Sequence, residues 1–292
     1  MNLLKKYEPQ IRELKFTFYL IRRSPLTLLG LSIIIALILV AVLASFISPY
    51  DPNSIDSVHR LKPPSFRHLF GTDTLGRDLL SRIIHGARIS LVVGLVIVGL
   101  AAAVGSILGL IAGYFGGKMG EVIMRITDIF LAFPYLILAM AVTAALGPTL
   151  MNAMLAMAIV WWPMYARLMY SEVIVIKKML YIEAAKSIGV RKGRLLFKHI
   201  LPNSLTAVLV QGTLDFGAAI MYSAALSFIG LGAQPPTPEW GAIISDSRHY
   251  LMFAWWYPTF PGLAIFITIL GTNLLGDGLR DVLDPRLRRL VE

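Results

Sequence analysis

Six long apolar runs, at residues 26–47, 89–115, 122–146, 150–168, 205–229 and 257–275, constrain this chain more than any other feature of its sequence. Each is near or above the roughly 20 residues that cross a hydrocarbon core, and the longer ones can tilt or extend beyond it. With 57% hydrophobic and only 15% charged residues, a soluble domain is excluded, and the expected fold is an all-α integral membrane protein with six transmembrane helices. The run at 26–47 is too long for a signal-peptide core and is followed by no small-residue cleavage site, so it reads as a retained first span.

The formal charge of +10 comes from 27 Lys and Arg against 17 Asp and Glu. In a polytopic chain such an excess reflects cytoplasmic loops held inside, not nucleic-acid binding. With both termini inside, 20 basic residues fall on the cytoplasmic side and 7 outside. That orientation divides the chain into a cytoplasmic segment at 1–24, a first transmembrane helix at 25–49 and an extracytoplasmic loop at 50–86. A five-helix core at 87–280 follows, with a cytoplasmic loop at 169–203, and a cytoplasmic tail closes the chain at 281–292. No cysteine is present and the five histidines form no ligand-spaced cluster, which excludes disulfides and thiolate metal sites.

Between the fourth and fifth runs lies Glu183-Ala184-Ala185-Lys186-Ser187-Ile188-Gly189, then a basic stretch, then His199-Ile200-Leu201-Pro202-Asn203. Lys186, Arg191, Lys192, Arg194 and Lys198 place it outside the bilayer. Glu183 to Lys186 are good helix formers, and Gly189 can take the positive φ that ends a helix. Residues 191–198 are again helix-compatible, and Pro202 suits the first turn of a further helix. Two short helices with a bend are predicted.

Elsewhere, Phe70 to Asp78 combines two turn glycines with charges able to pair locally; no Gly-Lys-Ser/Thr follows, so it is not a phosphate loop. Gly105, Gly109 and Gly113 recur every four residues, a stripe suited to close helix packing. The prolines at 235, 236 and 238 predict a rigid outer loop. Trp255, Trp256 and Tyr257 predict an outer interfacial belt.

The Glu-Ala-Ala, Gly, Leu-Pro spacing from Glu183 to Pro202 resembles the EAA loop of ABC-importer permeases. His199 matches the peptide and nickel branch of that family. Gly71-Thr72-Asp73-x-Leu75-Gly76-Arg77-Asp78, Gly86-Ala87-Arg88-x-Ser90-Leu91, Tyr114-x-Gly116-Gly117, Met124-Arg125-x-x-Asp128 with Phe133-Pro134, Leu226-Ser227-Phe228-x-Gly230-Leu231-Gly232 and Asn273-x-x-Gly276-Asp277-x-Leu279-Arg280-Asp281 are similar to the DppC/OppC type, in order along nearly the whole chain.

The resemblance implies a type I importer permease fold and a loop whose Glu183, Ala184, Ala185, Gly189, Leu201 and Pro202 dock as a coupling helix into an ATPase. It also implies four kinds of partner: a second, non-identical permease, two ATPase subunits, an extracytoplasmic substrate-binding protein and membrane lipid. No Walker A sequence is present, since Gly116-Gly117-Lys118 is followed by Met119, so no catalytic residue and no cofactor is assigned to this chain. ATP and Mg are expected in the partners. Di- or oligopeptides are the favoured cargo, with nickel, glutathione or an oligosaccharide-type ligand as alternatives.

An ion-coupled secondary transporter would carry coupling carboxylates deep in its spans. Asp215 is the only acidic residue near a span centre. Gln211, Asp215 and Tyr222 share one helical stripe that must face protein or water, and Asp215 is expected either to line the path or to pair with the neighbouring permease. At Ser223 the chain departs from the Glu that similar permeases often carry, so no role is transferred to that position.

Overall fold

The computed structural model describes Arg22 and residues 24–283. The expected N-terminal segment and C-terminal tail lie almost wholly outside the described residues. Within them the fold is all helical: no strand forms, only an isolated bridge between Thr72 and Asp78.

The first span is α1, Pro25–Val42, capped by Ser24, whose Oγ accepts from the Thr27 N–H, and followed by the short α2, Ala44–Ile47. After the loop comes α3, Leu79–Phe115, 37 residues long. It begins ten residues earlier than the apolar run, because Asp78 caps it by accepting from the Ser81 N–H and hydroxyl. Hydropathy marks where a helix becomes apolar, whereas the cap marks where it starts.

The expected third span is two helices. α4, Gly117–Leu131, and α5, Tyr135–Leu146, are bent by 91° at Ala132-Phe133-Pro134. Proline lacks the N–H that would continue the ladder and disfavours helical geometry in the residue before it. α6 runs from Leu150 to Lys177, so the following loop is shorter than predicted. Next comes α7, Leu180–Ser187.

The predicted second short helix is not separate. Lys192–Phe228 forms one continuous 37-residue helix, α8, whose turn at Leu195–Ile200 is π-wound. Pro202 explains the winding: its ring would collide with the carbonyl of residue 198 in a regular helix. The chain widens instead, and the Leu201 N–H bonds the Leu196 carbonyl. α9, Trp240–Ser247, and α10, Trp256–Leu283, complete the fold.

Four of these helices are long and apolar enough to cross a membrane: α1, α3, α8 and α10; the bent α4–α5 pair would make a fifth. α6, at 28 residues, is also of spanning length but less apolar, since it is the interior helix, with Met157, Tyr165, Met169 and Val173 fully enclosed. The glycine stripe lets α3 lie against it. A Cβ at Gly105 or Gly109 would overlap the Trp162 or Ala166 carbonyl oxygen, so the stripe brings backbone against backbone as predicted.

Two apolar clusters result. One surrounds α6 and extends through Ile182, Leu195 and Ile200 into the Glu183 loop. The other, at the opposite end, joins Leu79 and Ile83 to Trp240, Trp256 and Tyr257. Trp256 and Tyr257 are therefore buried rather than interfacial, the Trp256 indole approaching the Thr72 carbonyl at 3.4 Å, and only Trp255 of the three is exposed. In the loop before α3 the charges do pair locally, Asp73 with Arg77 and Arg82, and the His68 ring lies within hydrogen-bond distance of Asp78 at 2.9 Å. Farther out, a 2.7 Å hydrogen bond to His59 holds the Asp56 carboxyl below its usual range.

Candidate functional site: the Glu183 loop and the polar seam behind it

The Glu183 loop is built as a rigid handle. α7 carries Glu183 in its first turn and Lys186 in its last, matching the helix dipole. It ends on Gly189 at φ +78°, the left-handed conformation foreseen from the sequence, and the Val190 N–H closes the turn onto the Ala185 carbonyl at 3.1 Å.

One face of this handle is locked to the membrane core. Ile182 is completely buried and Ala185 half-buried against the same cluster as Val173 and Ile176 of α6 and Ile200 of α8. Each such side chain stabilises the contact by about 1.5–3 kcal/mol. Asn203 stitches the arms together, donating to the His199 carbonyl at 2.5 Å and to the Tyr181 hydroxyl at 3.3 Å. The other face is open: Glu183, Ala184 and Pro202 are exposed, Leu201 is half-buried, and Leu180, Ile188 and Phe197 are 83%, 82% and 66% exposed. The loop thus has a back anchored in the core and a front on which apolar and charged side chains are exposed.

Farther along α8 the structure brings together two of the three residues on the predicted stripe. Gln211 donates to Asp215 Oδ1 at 2.9 Å, and the Tyr165 hydroxyl of α6 donates to Oδ2 at 2.7 Å. Tyr222 stands apart, hydrogen-bonded to Tyr135 of α5 and edge-on to Trp161. Seven residues separate Asp215 from Tyr222, about 10 Å of helix, too far for one constellation. Tyr165 escaped the sequence reading, because a tyrosine in an apolar run carries no periodic signal and its partner lies fifty positions away.

A second polar feature was also unforeseen as a site. Asp128 of α4 and Arg167 of α6 form an ion pair, each somewhat more than half exposed. From sequence both basic residues of this region, Arg125 and Arg167, fell with the cytoplasmic segments. The helices instead carry Arg167 about 15 Å inward from Lys177. Among the described residues Arg125 pairs with Glu121, one turn away on α4.

A bundle of long apolar helices, with a rigid charged handle at one end and a polar seam behind it, defines a membrane transport subunit. Residues 105–289 match the family described as the binding-protein-dependent transport system inner membrane component, and residues 18–64 match the N-terminal TM domain of oligopeptide transport permease C. The chain belongs to this family of inner-membrane ABC-importer permeases.

Among its relatives, the probable D,D-dipeptide transport system permease protein DdpC of Escherichia coli K12 is 48% identical over 92% of this chain and 90% of that protein. The dipeptide transport system permease protein DppC of Alkalihalophilus pseudofirmus is 48% identical over 93% and 89%. The glutathione transport system permease protein GsiD of Pectobacterium atrosepticum is 45% identical over 87% and 85%. The solved inward-facing MetNI methionine ABC transporter superposes with a TM-score of 0.58 at 18% identity, covering 70% of this chain and 98% of that one, which establishes the shared fold.

Proposed function

We propose that this chain is one of two non-identical permeases in an ATP-driven importer of di- or oligopeptides, forming half of the path for cargo delivered by an extracytoplasmic binding protein. The supporting observation is the Glu183 loop, whose buried Ile182 joins the core of α6 while its apolar front stays open. Glu183, Ala184, Ala185, Gly189, Leu201 and Pro202 form or support that docking element. Two partner ATPases bind ATP and Mg and supply the movement. Peptide cargo is favoured by the relatives above, which carry dipeptides or glutathione.

The orientation follows from the basic-residue bias, with the loop facing the cytoplasm. The chain has no cysteine of its own, so Ser187→Cys and Ser57→Cys, both at exposed positions, give a clean readout. In sealed right-side-out vesicles an impermeant thiol reagent will label position 57 and leave position 187 unlabelled until the vesicles are opened. Labelling at 187 in sealed vesicles rejects the topology.

In this reading Asp215, with Gln211 beside it, lines the path and helps to pass the cationic amino end of a peptide, while Tyr222 marks a more outward level. Asp215→Asn preserves size and removes charge: its amide oxygen still accepts from Gln211, and its NH2 donates to the Tyr165 hydroxyl, which turns to accept. In the reconstituted importer it will slow peptides with a free amino end more than their acetylated forms, with assembly intact. Equal slowing of both, or loss of the complex, assigns Asp215 to structural pairing with the neighbouring permease instead.

A further inference from the structure

Two open cavities border the Asp128–Arg167 ion pair, one on each residue. One, of about 730 Å³, lies at the end of the bundle that carries the Glu183 loop and is lined by Gly116, Glu121, Asp128 and Tyr170. The other, of about 250 Å³, lies deeper and is lined by Leu131, Met164, Arg167, Leu168 and Gln211. Asp128 lines the first and Arg167 the second, so their bond bridges the two open spaces beside the turn at Leu131 and Ala132. Gln211 connects the deeper cavity to Asp215 through its 2.9 Å hydrogen bond.

We propose that this ion pair is a gate across the translocation path, opened by exchange: the carboxylate end of a passing peptide takes Arg167 from Asp128. The inference rests on the peptide-importer reading and adds a residue pair to it.

Three observations carry it. Arg167 lies about 15 Å along α6 from its Lys177 end, where a charge facing hydrocarbon is costly, and Asp128 lies three residues before the break that ends α4, yet both are more than half exposed in this chain. They therefore face water or another protein. The pair also joins α4 to α6 next to the 91° break at Ala132-Phe133-Pro134, where the chain already lacks a continuous helical ladder. Movement of α4 about this turn would separate the two charges without unwinding a helix.

Finally, a half-exposed ion pair contributes little to stability, so a competitor can displace it. A peptide carboxylate replaces Asp128 like for like, keeping the charge-assisted hydrogen bonds of the guanidinium. The deeper cavity then offers a cation for the carboxylate end of a peptide, with the polar Gln211 side chain beside it.

The test uses the complete importer in liposomes, with its binding protein, both permeases and both ATPases. Leu168→Cys places a reporter in the deeper cavity, and labelling is read on this chain alone with an impermeant thiol reagent added from the Glu183-loop side. With the pair intact, labelling will be slow. Adding Asp128→Asn or Arg167→Gln will accelerate it severalfold, and the charge swap Asp128→Arg with Arg167→Asp will restore the slow rate. Unchanged labelling in both single variants, or loss of assembly in singles and swap alike, overturns the gate.

The exchange is read separately, at saturating binding protein. The wild type will import a peptide with a free carboxyl end faster than its amide; Arg167→Lys will keep that preference and Arg167→Gln will lose it. A preference unaltered in Arg167→Gln overturns the exchange. Because the labelling assay contains no peptide, it still decides the gate if the wild type imports none, a result that would defeat the peptide reading itself.

Discussion

Replacing Ala185 with proline will abolish transport and substrate-stimulated ATP hydrolysis while leaving the binding protein's affinity for substrate unchanged. Ala185 sits in the last half of α7, half-buried against the core, and its carbonyl closes the Gly189 turn. Proline there removes a helical N–H and drives its ring toward the Tyr181 carbonyl, at a cost of about 3 kcal/mol. In an eight-residue helix nothing nearby absorbs that loss.

Gly189 gives a finer instrument. A Cβ at this position would meet no atom within 4 Å, so a substitution there is opposed by backbone conformation alone. Gly189→Val at φ +78° will cost about 1–3 kcal/mol and uncouple the loop, whereas Gly189→Asn, which tolerates the left-handed region, will retain most transport. ATPase stimulation by loaded binding protein, measured in reconstituted complexes, separates these outcomes. If Ala185→Pro and Gly189→Val both assemble with ATPases and keep stimulated hydrolysis, the loop is not the coupling element.

The parts of this fold that were legible in the sequence are those set by local rules. Long apolar runs marked most of the helices, a four-residue glycine repeat marked the closely packed face of α3 though not its partner α6, and Gly189 marked its own φ. Errors arose where a local signal met a distant partner. Trp256 and Tyr257 look like interfacial aromatics, but Trp256 packs against Gly71 and Thr72 from the far end of the chain.

Pro134 and Pro202 show the limit from the other side. Both are helix breakers by composition. Pro134 breaks its helix by 91°, whereas Pro202 is absorbed in a π turn, because Leu195, Leu196 and Ile200 hold that turn in the core. The polar seam was only partly visible. Asp215 stood out as a lone carboxylate in an apolar run, and Gln211 followed from its spacing of four. Arg167 and Asp128 each lie near the end of an apolar run, where charge is ordinary, and only the packing of α4 on α6 joins them.

Asp73→Ala will produce the largest loss of stability at the opposite end of the molecule. Asp73 is fully buried and accepts from the Leu75 and Arg77 N–H groups at 2.8 and 2.9 Å and from Arg77 Nε at 2.5 Å, while Arg82 Nε lies 3.6 Å away. One carboxylate thus holds a tight turn closed and compensates two guanidiniums that are themselves 4% and 2% exposed. The turn in turn supports Trp256, and Arg82 Nη1 reaches back to the Pro52 carbonyl at 3.1 Å. Deleting one partner from a buried ion network leaves uncompensated charge, at a cost of about 3–5 kcal/mol. The loss will appear as a lowered unfolding temperature in detergent and as protease cleavage between residues 50 and 80 in otherwise intact complexes. Removing the stranded charge as well discriminates the cause: Asp73→Ala with Arg82→Met will recover part of the loss if electrostatics dominates. If the double variant is no better than Asp73→Ala, the hydrogen bonds to the Leu75 and Arg77 N–H groups are what hold the turn, and the guanidiniums are secondary.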